Sequence, residues 1–357
     1  MNTPTIETLP PPPIGKTGWP WTSAPAPINI SPSLTLPSIS IVTPSYNQGI
    51  FIEETIRSVL LQGYPNVEYI IIDGGSKDET VEIIKKYEPW IKYWVSEPDK
   101  GQTDAINKGL LKCGGEVFNW LNSDDYYEPN ALLKIGQAFA LQQESLVVCG
   151  KENVFDSETG KIKFINEGSR VLETLEETIF VGHIDQPSTF FKRQVIAELG
   201  NQLTTSLQFV MDAELYLRFL LQFGQEKIIK IDDILVNFRH HDASKTVSLT
   251  TLFVSEKNAV FSSLLAKLNA PEELIQIINK NITSPIKYQG SKWPTSSYNT
   301  DKIIAIFCFF YMFEYYKNAE YKKSRKLLSF YLKNGNIHWS SLLIGLIIRL
   351  YTIRLFS

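Results

Sequence analysis

Two adjacent carboxylates, Asp124 and Asp125, stand where the apolar run Val117, Phe118, Trp120 and Leu121 breaks off in EVFNWLNSDDYY (116–127). The run has the pattern of a buried strand, and Asn122, Ser123, Asp124 and Asp125 form its polar end. At the carboxyl end of a strand in an open parallel sheet, such a pair faces a cleft. Mg2+ and Mn2+ take oxygen ligands, and one or two protein carboxylates suffice where a diphosphate supplies the rest. The plainer alternative is a turn before Pro129 that caps the helix of residues 129–141. Asp73 ends the run VEYIIID, while Asp99 and Asp104 lie in SEPDKGQTDAINKG. Asp73 ahead of Gly74 and Gly75 also fits turn chemistry, and Asp104 fits a helix N-terminal charge. Together these groups make an acidic rim that would repel a bare diphosphate, a conflict that a bound divalent cation resolves.

The elements that must hold this rim alternate in type from Ser38 onward. SISIVTP reads as a strand, and FIEETIRSVLL (51–61) carries Ile52, Ile56, Val59 and Leu60 on one helical face. VEYIIID (67–73) is a continuous apolar run, as in a strand buried on both faces. The helix ETVEIIKKY, the strand IKYWV, the helix TDAINKGLLK, the strand EVFNWL, the helix of residues 129–141 and the strand SLVVCG follow. That alternation predicts an α/β domain with a largely parallel sheet. Residues 151–245 break the rhythm, with one strand-like piece, PSTFF, and two helices, KRQVIAEL and DAELYLRFLLQF. From 250 onward the pattern is mainly helical. TPSYNQG after the first strand is not GxGxxG, which disfavours NAD.

Of the 19 prolines, ten fall in residues 1–37, a segment with no apolar period that reads as an extended arm. Two tryptophans in GKTGWPW (15–21) suggest that this arm docks. A phosphate-binding loop is rejected there, because its first glycine would fall on Pro10 and no strand precedes it. The predicted organisation is an arm (1–37), a domain of residues 38–250 with halves 38–150 and 151–250, and a helical tail (251–357).

With 357 residues, 43% hydrophobic and 20% charged, the composition is that of a globular protein, and a net charge of −3 argues against a nucleic-acid partner. Residues 301–357 carry +6, however, and the first 300 carry −9. Cys113, Cys149 and Cys308 lack metal-site spacing, so a reducing compartment is expected, and no secretory signal is expected at the N-terminus. IIAIFCFFYMF (303–313) is too short to span a bilayer. WSSLLIGLIIRLYTIRLF (339–356) is about long enough but contains Arg349 and Arg354. Two readings of it stay open: a helix on an anionic membrane surface, or a helical hairpin packed on the domain.

IVTPSYNQGIFIEETIRSVLLQ, EYIIIDGGSKDET, EPDKGQTDAINKG and NWLNSDDYYEPNAL resemble, in order, the motifs of the family 2 glycosyltransferases. QPSTFFKRQVIAELG, MDAELYLRF and FRHHDASKT resemble that family's later segments, and the GKTGWPW arm an N-terminal extension of some bacterial members. The resemblance implies a GT-A fold, in which a Rossmann-like, mostly parallel mixed sheet is flanked by helices. It implies a nucleotide-diphospho-sugar donor (UDP-, GDP- or dTDP-linked), a divalent cation (Mn2+ or Mg2+) and a hydroxyl acceptor, glycan or lipid-linked glycan. Carried over by residue, it implies that Thr43, Pro44, Tyr46 and Asn47 line the nucleotide pocket and that Asp73 accepts a hydrogen bond from the base. Asp99 and Asp104, with Gly101 and Asn107 of the same motif, would surround the ribose and sugar. Asn122, Ser123 and Asp124 occupy the family's DxD motif, with Asn122 in place of its first Asp. The metal is therefore expected on Asp124, with Asp125 as helper and His241 facing the diphosphate or metal, or else lying in a surface loop. Asp212 in MDAELYLRF matches the catalytic base of an inverting single displacement; the plain reading is a helix N-terminal charge. A cytoplasmic enzyme of cell-surface polysaccharide or glycolipid assembly, peripheral on the inner face of the membrane, is the expectation. The alternatives are a nucleotide-sugar binder without catalysis, a sugar-phosphate nucleotidyltransferase, disfavoured by TPSYNQG, and a membrane-anchored structural protein resting on the tail alone.

Overall fold

The computed structural model describes residues 3–26, 28, 31, 33–240, 250–294, 298–335, 337 and 340–352. The chain forms two compact units, one of residues 1–170, 183–219 and 223–248, the other of residues 171–182, 220–222 and 249–357.

The first unit begins with the expected alternation: β1 (Ile39–Ser45), α1 (Gly49–Leu60), β2 (Val67–Asp73), α2 (Thr80–Tyr87), β3 (Tyr93–Ser96), α3 (Gln102–Leu110) and β4 (Val117–Trp120). Then come β5 (Tyr126–Tyr127), α4 (Ala131–Leu141), β6 (Val147–Asp156), β7 (Ile162–Asn166), α5 (Leu175–Val181, in the second unit), β8 (Thr189–Lys192), α6 (Arg193–Glu198), α7 (Met211–Phe223) and β9 (Ile228–His240). The sheet runs β3-β2-β1-β4-β8-β6-β9-β5, with β7 on β6. Its first four strands are parallel, β8 is antiparallel to both neighbours, and β6 and β9 are parallel. This is the mixed, mostly parallel sheet flanked by helices that the alternation predicts.

β-Branched residues explain why the central strands form: Ile41, Val42, Ile70, Ile71 and Ile72 are buried on a pleated surface that suits them. α3 lies so close to β1 that a Cβ on Gly109 would come within 2.4 Å of Val42 Cγ1. β9 corrects the reading of residues 151–245, which found no strand there beyond PSTFF. Its sequence IIKIDDILVNFRH is interrupted by Lys230, Asp232 and Asp233, and its pairing with β6 slips in register on either side of Lys151. A strand that slips loses the clean alternation by which it would be read.

The arm packs on this unit. Leu9 and Trp21 are buried, and Leu9 joins the core cluster that includes Ile39, Ile56 and Tyr87. Arg57 of α1, fully buried, donates to Pro10 O (2.8 Å), Pro20 O (3.0 Å), Trp21 O (2.9 Å) and Tyr87 Oη (3.1 Å).

The second unit is helical: α5 with α8 (Thr250–Lys267), α9 (Glu272–Lys280), α10 (Thr300–Lys317), α11 (Tyr321–Asn334) and α12 (Ser341–Thr352). Phe180 stacks on Phe310 (4.3 Å between ring centres) and meets the edge of Phe307 (4.7 Å). α12 buries Leu343, Leu346 and Leu350 and exposes Leu342, Ile344 and Ile348. Among the described residues no helix is long and apolar enough to cross a membrane.

Candidate active site

The strand register brings part of the predicted set to one edge. Ser45, Asp73 and Ser96 sit side by side at the carboxyl ends of β1, β2 and β3. Leu121 N donates to Val42 O (2.9 Å), which brings the Asn122–Asp125 loop to the same edge beside β1.

Asp73 is the hub of this edge. Its Oδ2 accepts from Ser76 N (2.9 Å), Gly75 N (3.1 Å) and Ser96 Oγ (2.6 Å), and Oδ1 accepts from Ser76 Oγ (2.5 Å). Thr43 and Pro44 are buried, with Thr43 Oγ1 accepting from Tyr69 Oη (3.1 Å), whereas Tyr46 is exposed at the mouth. Asn47 adopts the left-handed region (φ 51°), and its Oδ1 accepts from Lys77 N (2.9 Å), which holds the two loops together. A Cβ on Gly74 would lie 2.8 Å from Asp99 Oδ2 and 3.3 Å from the Tyr46 ring, so Asp99 faces this mouth. Asp99 Oδ1 accepts from Gly101 N (2.8 Å), and Gly101 takes a φ of 109° that side chains disfavour. Asp104 Oδ2 accepts from Lys100 N (3.1 Å) and lies 3.8 Å from Lys108 Nζ. Asn107, expected at the cofactor, has both ends of its amide on the backbone of Leu203, at 2.9 and 2.8 Å; its place is that of a loop tie.

The Asn122–Asp125 loop is held from several sides. Asn122 Oδ1 accepts from Gln102 Nε2 (2.7 Å), and its Nδ2 donates to Asp125 Oδ2 (3.3 Å). The Thr55 hydroxyl bridges Ser123 O (2.9 Å) and Asp125 O (2.7 Å), and Ser123 is buried. Asp124 is half-buried, and its carbonyl accepts from Arg239 Nε (2.7 Å). Asp125 departs from the expected helper role: it is 1% exposed, its Oδ1 accepts from Arg239 N (2.8 Å), and burial, then Asp124, push its carboxyl well above the usual range. It organises the loop from inside. His241 lies outside the described residues.

Among the described residues no group of three or more His, Cys, Asp or Glu side chains is placed to hold a metal. Asp124 is the half-exposed carboxylate of the loop. One carboxylate fits a cation that arrives with most of its ligands, as a diphosphate-bound Mn2+ or Mg2+ does.

Asp212 opens α7, half-buried, with Oδ1 accepting from Ala213 N (2.7 Å). Burial, with a smaller push from Asp185, raises its carboxyl to about 6, against the pull of backbone amides. Glu214 and Arg218, an ordinary helix pair by spacing, form a buried ion pair (2.8 Å) whose guanidinium also donates to Leu199 O (2.5 Å).

Motif reading missed four residues. Gln102 and Arg239 grip the loop directly; Glu54 binds Arg239 Nη2 at 2.5 Å; Asp185, 8% exposed, has Oδ1 on Asn166 Nδ2 (2.8 Å), while its Oδ2 has no partner among the described residues. Glu54 and Arg239 are 185 residues apart, so no local pattern could pair them.

Residues 40–200 match the model of Glycosyl transferase family 2. An uncharacterized glycosyltransferase of Rickettsia typhi is 29% identical over 244 residues, which is 67% of this chain and 75% of that protein. One from Mycobacterium tuberculosis is 39% identical over 92 residues, 26% of this chain and 35% of that protein. Among solved structures, residues 1–349 of S. aureus TarS in complex with UDP-GlcNAc superpose with a TM-score of 0.52 at 17% identity, covering 77% of this chain and 72% of that one. The ordered motifs, the sheet and these relatives agree: residues 40–200 match family 2 of the glycosyltransferases, and the sheet that they build has the GT-A fold.

Proposed function

We propose that this enzyme moves a sugar from a nucleotide-diphospho-sugar to a hydroxyl acceptor with inversion at the anomeric carbon, in cell-surface polysaccharide or glycolipid assembly. The observation that carries the reading is the convergence of Asp73, Asp99 and the Asn122–Asp125 loop on the carboxyl edge of four parallel strands, where open α/β sheets bind their ligands. In this reading Tyr46, Asn47 and Asp99 border the nucleoside, Asp73 keeps the pocket floor in shape and offers Oδ1 to the base, and Asp104 lies towards the sugar. Asp124 would hold the divalent cation, with the donor's phosphates as its remaining ligands.

Asp212 is the base. The acceptor oxygen forms the new bond to the anomeric carbon, its proton passes to an Asp212 carboxylate oxygen, and the bond to the phosphate oxygen breaks with its electron pair on the departing nucleotide. When bound, the cation neutralises charge developing on that phosphate. A carboxyl near 6 is ionised at neutral pH yet basic enough to take the proton as the bond forms. The acceptor is a glycan or lipid-linked glycan. Leu342, Ile344 and Ile348, exposed on α12 in a tail of charge +6, support contact with an anionic membrane on its cytoplasmic face.

A second reading, a nucleotide-sugar binder without catalysis, is favoured by Asn122 alone. Release of nucleotide from UDP-, GDP- and dTDP-sugars with Mn2+, by wild type and Asp212→Asn, decides between them. The enzyme reading requires turnover that the variant loses; donor retained without nucleotide release would establish the binder.

A further inference from the structure

We propose that Glu54 and Arg239 are positioning residues for the Asn122–Asp125 loop, and that the N-terminal arm sets them through Trp21. This rests on the reading of that loop as the diphosphate side of the donor cleft.

Arg239 holds the loop by its Nε on Asp124 O (2.7 Å) and its backbone N on Asp125 Oδ1 (2.8 Å). Its guanidinium carbon lies 4.7 Å from the ring centres of Phe51 and Phe155 and 5.8 Å from that of Tyr126, and the residue is 7% exposed. A guanidinium so enclosed needs a carboxylate, and Glu54 Oε2 supplies it at 2.5 Å. The other oxygen, Oε1, accepts from Trp21 Nε1 (3.2 Å) of the arm. Glu54 is thus bound on one side by the arm and on the other by the residue that fixes Asp124. Thr55, next along α1, binds two further carbonyls of the same loop. Trp21 is itself anchored, since its carbonyl accepts from Arg57 Nη2 (2.9 Å) and its ring is buried. A planar fork locked between three rings and a carboxylate leaves the Asp124 carbonyl one position. The side chain that would meet the cation is aimed from that backbone.

The test uses the full chain and the variants Trp21→Phe, Glu54→Gln and Arg239→Lys, with Asp124→Asn alongside. UDP, GDP and dTDP are titrated calorimetrically, each with Mn2+ and with EDTA. Hydrogen exchange of residues 117–127 is followed in protein free of metal and nucleotide. Glu54→Gln and Arg239→Lys are expected to weaken the Mn2+-dependent affinity for the preferred nucleotide by roughly 10- to 100-fold. They should leave the affinity in EDTA unchanged and speed exchange at 122–127, with a smaller effect of the same sign in Trp21→Phe. If Asp124→Asn abolishes Mn2+ dependence but the other variants change neither it nor the exchange, the positioning role is wrong and the loop reading stands. Equal weakening with and without metal would reduce these residues to general fold stabilisers and overturns the proposal. Should Asp124→Asn keep full Mn2+ dependence, or no nucleotide bind, the loop reading itself fails.

Discussion

Asn122 Nδ2 lies 3.3 Å from Asp125 Oδ2, so the amide in the first position of the motif donates to a buried carboxyl. A carboxylate at 122 would replace that donor with a second acceptor beside a group that burial and Asp124 already disfavour as an anion. Asn122→Asp is therefore expected to destabilise the fold at neutral pH by about 1–3 kcal/mol, read from urea unfolding. Adding Asp125→Asn should return most of that loss, because a donor then faces the new carboxylate. A double variant no more stable than the single one would show that the two side chains are not coupled.

With Asp212 as the proposed base, turnover should depend on pH. The Asp212 carboxyl is raised to about 6, first by burial, and a base must be ionised, so activity should fall below about pH 6 and hold above it. Asp212→Asn should lose about 10²- to 10⁴-fold in kcat with little change in nucleotide affinity. A profile flat between pH 5 and 7 in wild type, on the order of one unit either side of that value, would remove Asp212 from the role.

Glu152 gives a stability signature of opposite use. It is buried, and burial followed by Asp185 raises its carboxyl to about 8. The native state therefore holds a proton that the unfolded chain releases near 4.5. Stability from this group is complete below about 4.5 and is lost as pH climbs to about 8. Thermal midpoints measured from pH 5 to 8 should decline in wild type and decline less in Glu152→Gln.

The Glu214–Arg218 pair should be intolerant of half-removal. Arg218→Met takes the guanidinium from a fully buried carboxylate and frees the carbonyls of Leu199 and Gln202, a loss of about 3–5 kcal/mol by denaturant unfolding. Replacing both partners by apolar residues should cost less than replacing one.

At Gly109 two effects compete. Alanine favours a helix over glycine by roughly 1 kcal/mol, but its Cβ would fall 2.4 Å from Val42 Cγ1, in a strand with no room to retreat. Overpacking of about 1–3 kcal/mol should prevail, giving a lower melting temperature for Gly109→Ala.

The parallel half of the fold was legible because VEYIIID and its neighbours are short, β-branched and separated by helices with clear apolar faces. β9 was not, since its length is broken by Lys230, Asp232 and Asp233 and its pairing slips. The carboxylates of the rim could be named from the chain because each ends a strand, follows one closely or opens a helix. What they do to one another could not. Asp125 looked like a second ligand from its place beside Asp124, and Asn107 like a cofactor contact from its motif. Their partners, Arg239 and Leu203, come from distant segments. Side-chain direction at a strand end is fixed by such contacts, which sequence spacing does not encode.

Arg57 has a practical consequence for where this protein can be cut. Its charge is screened from solvent, and three of its four hydrogen-bond acceptors are carbonyls of Pro10, Pro20 and Trp21. Shortening the gene to start at the first strand would take away those three acceptors and uncover the apolar surface beneath Leu9 and Trp21. The proline-rich arm is thus a wall of the first unit, and fragments lacking it should be recovered as aggregates.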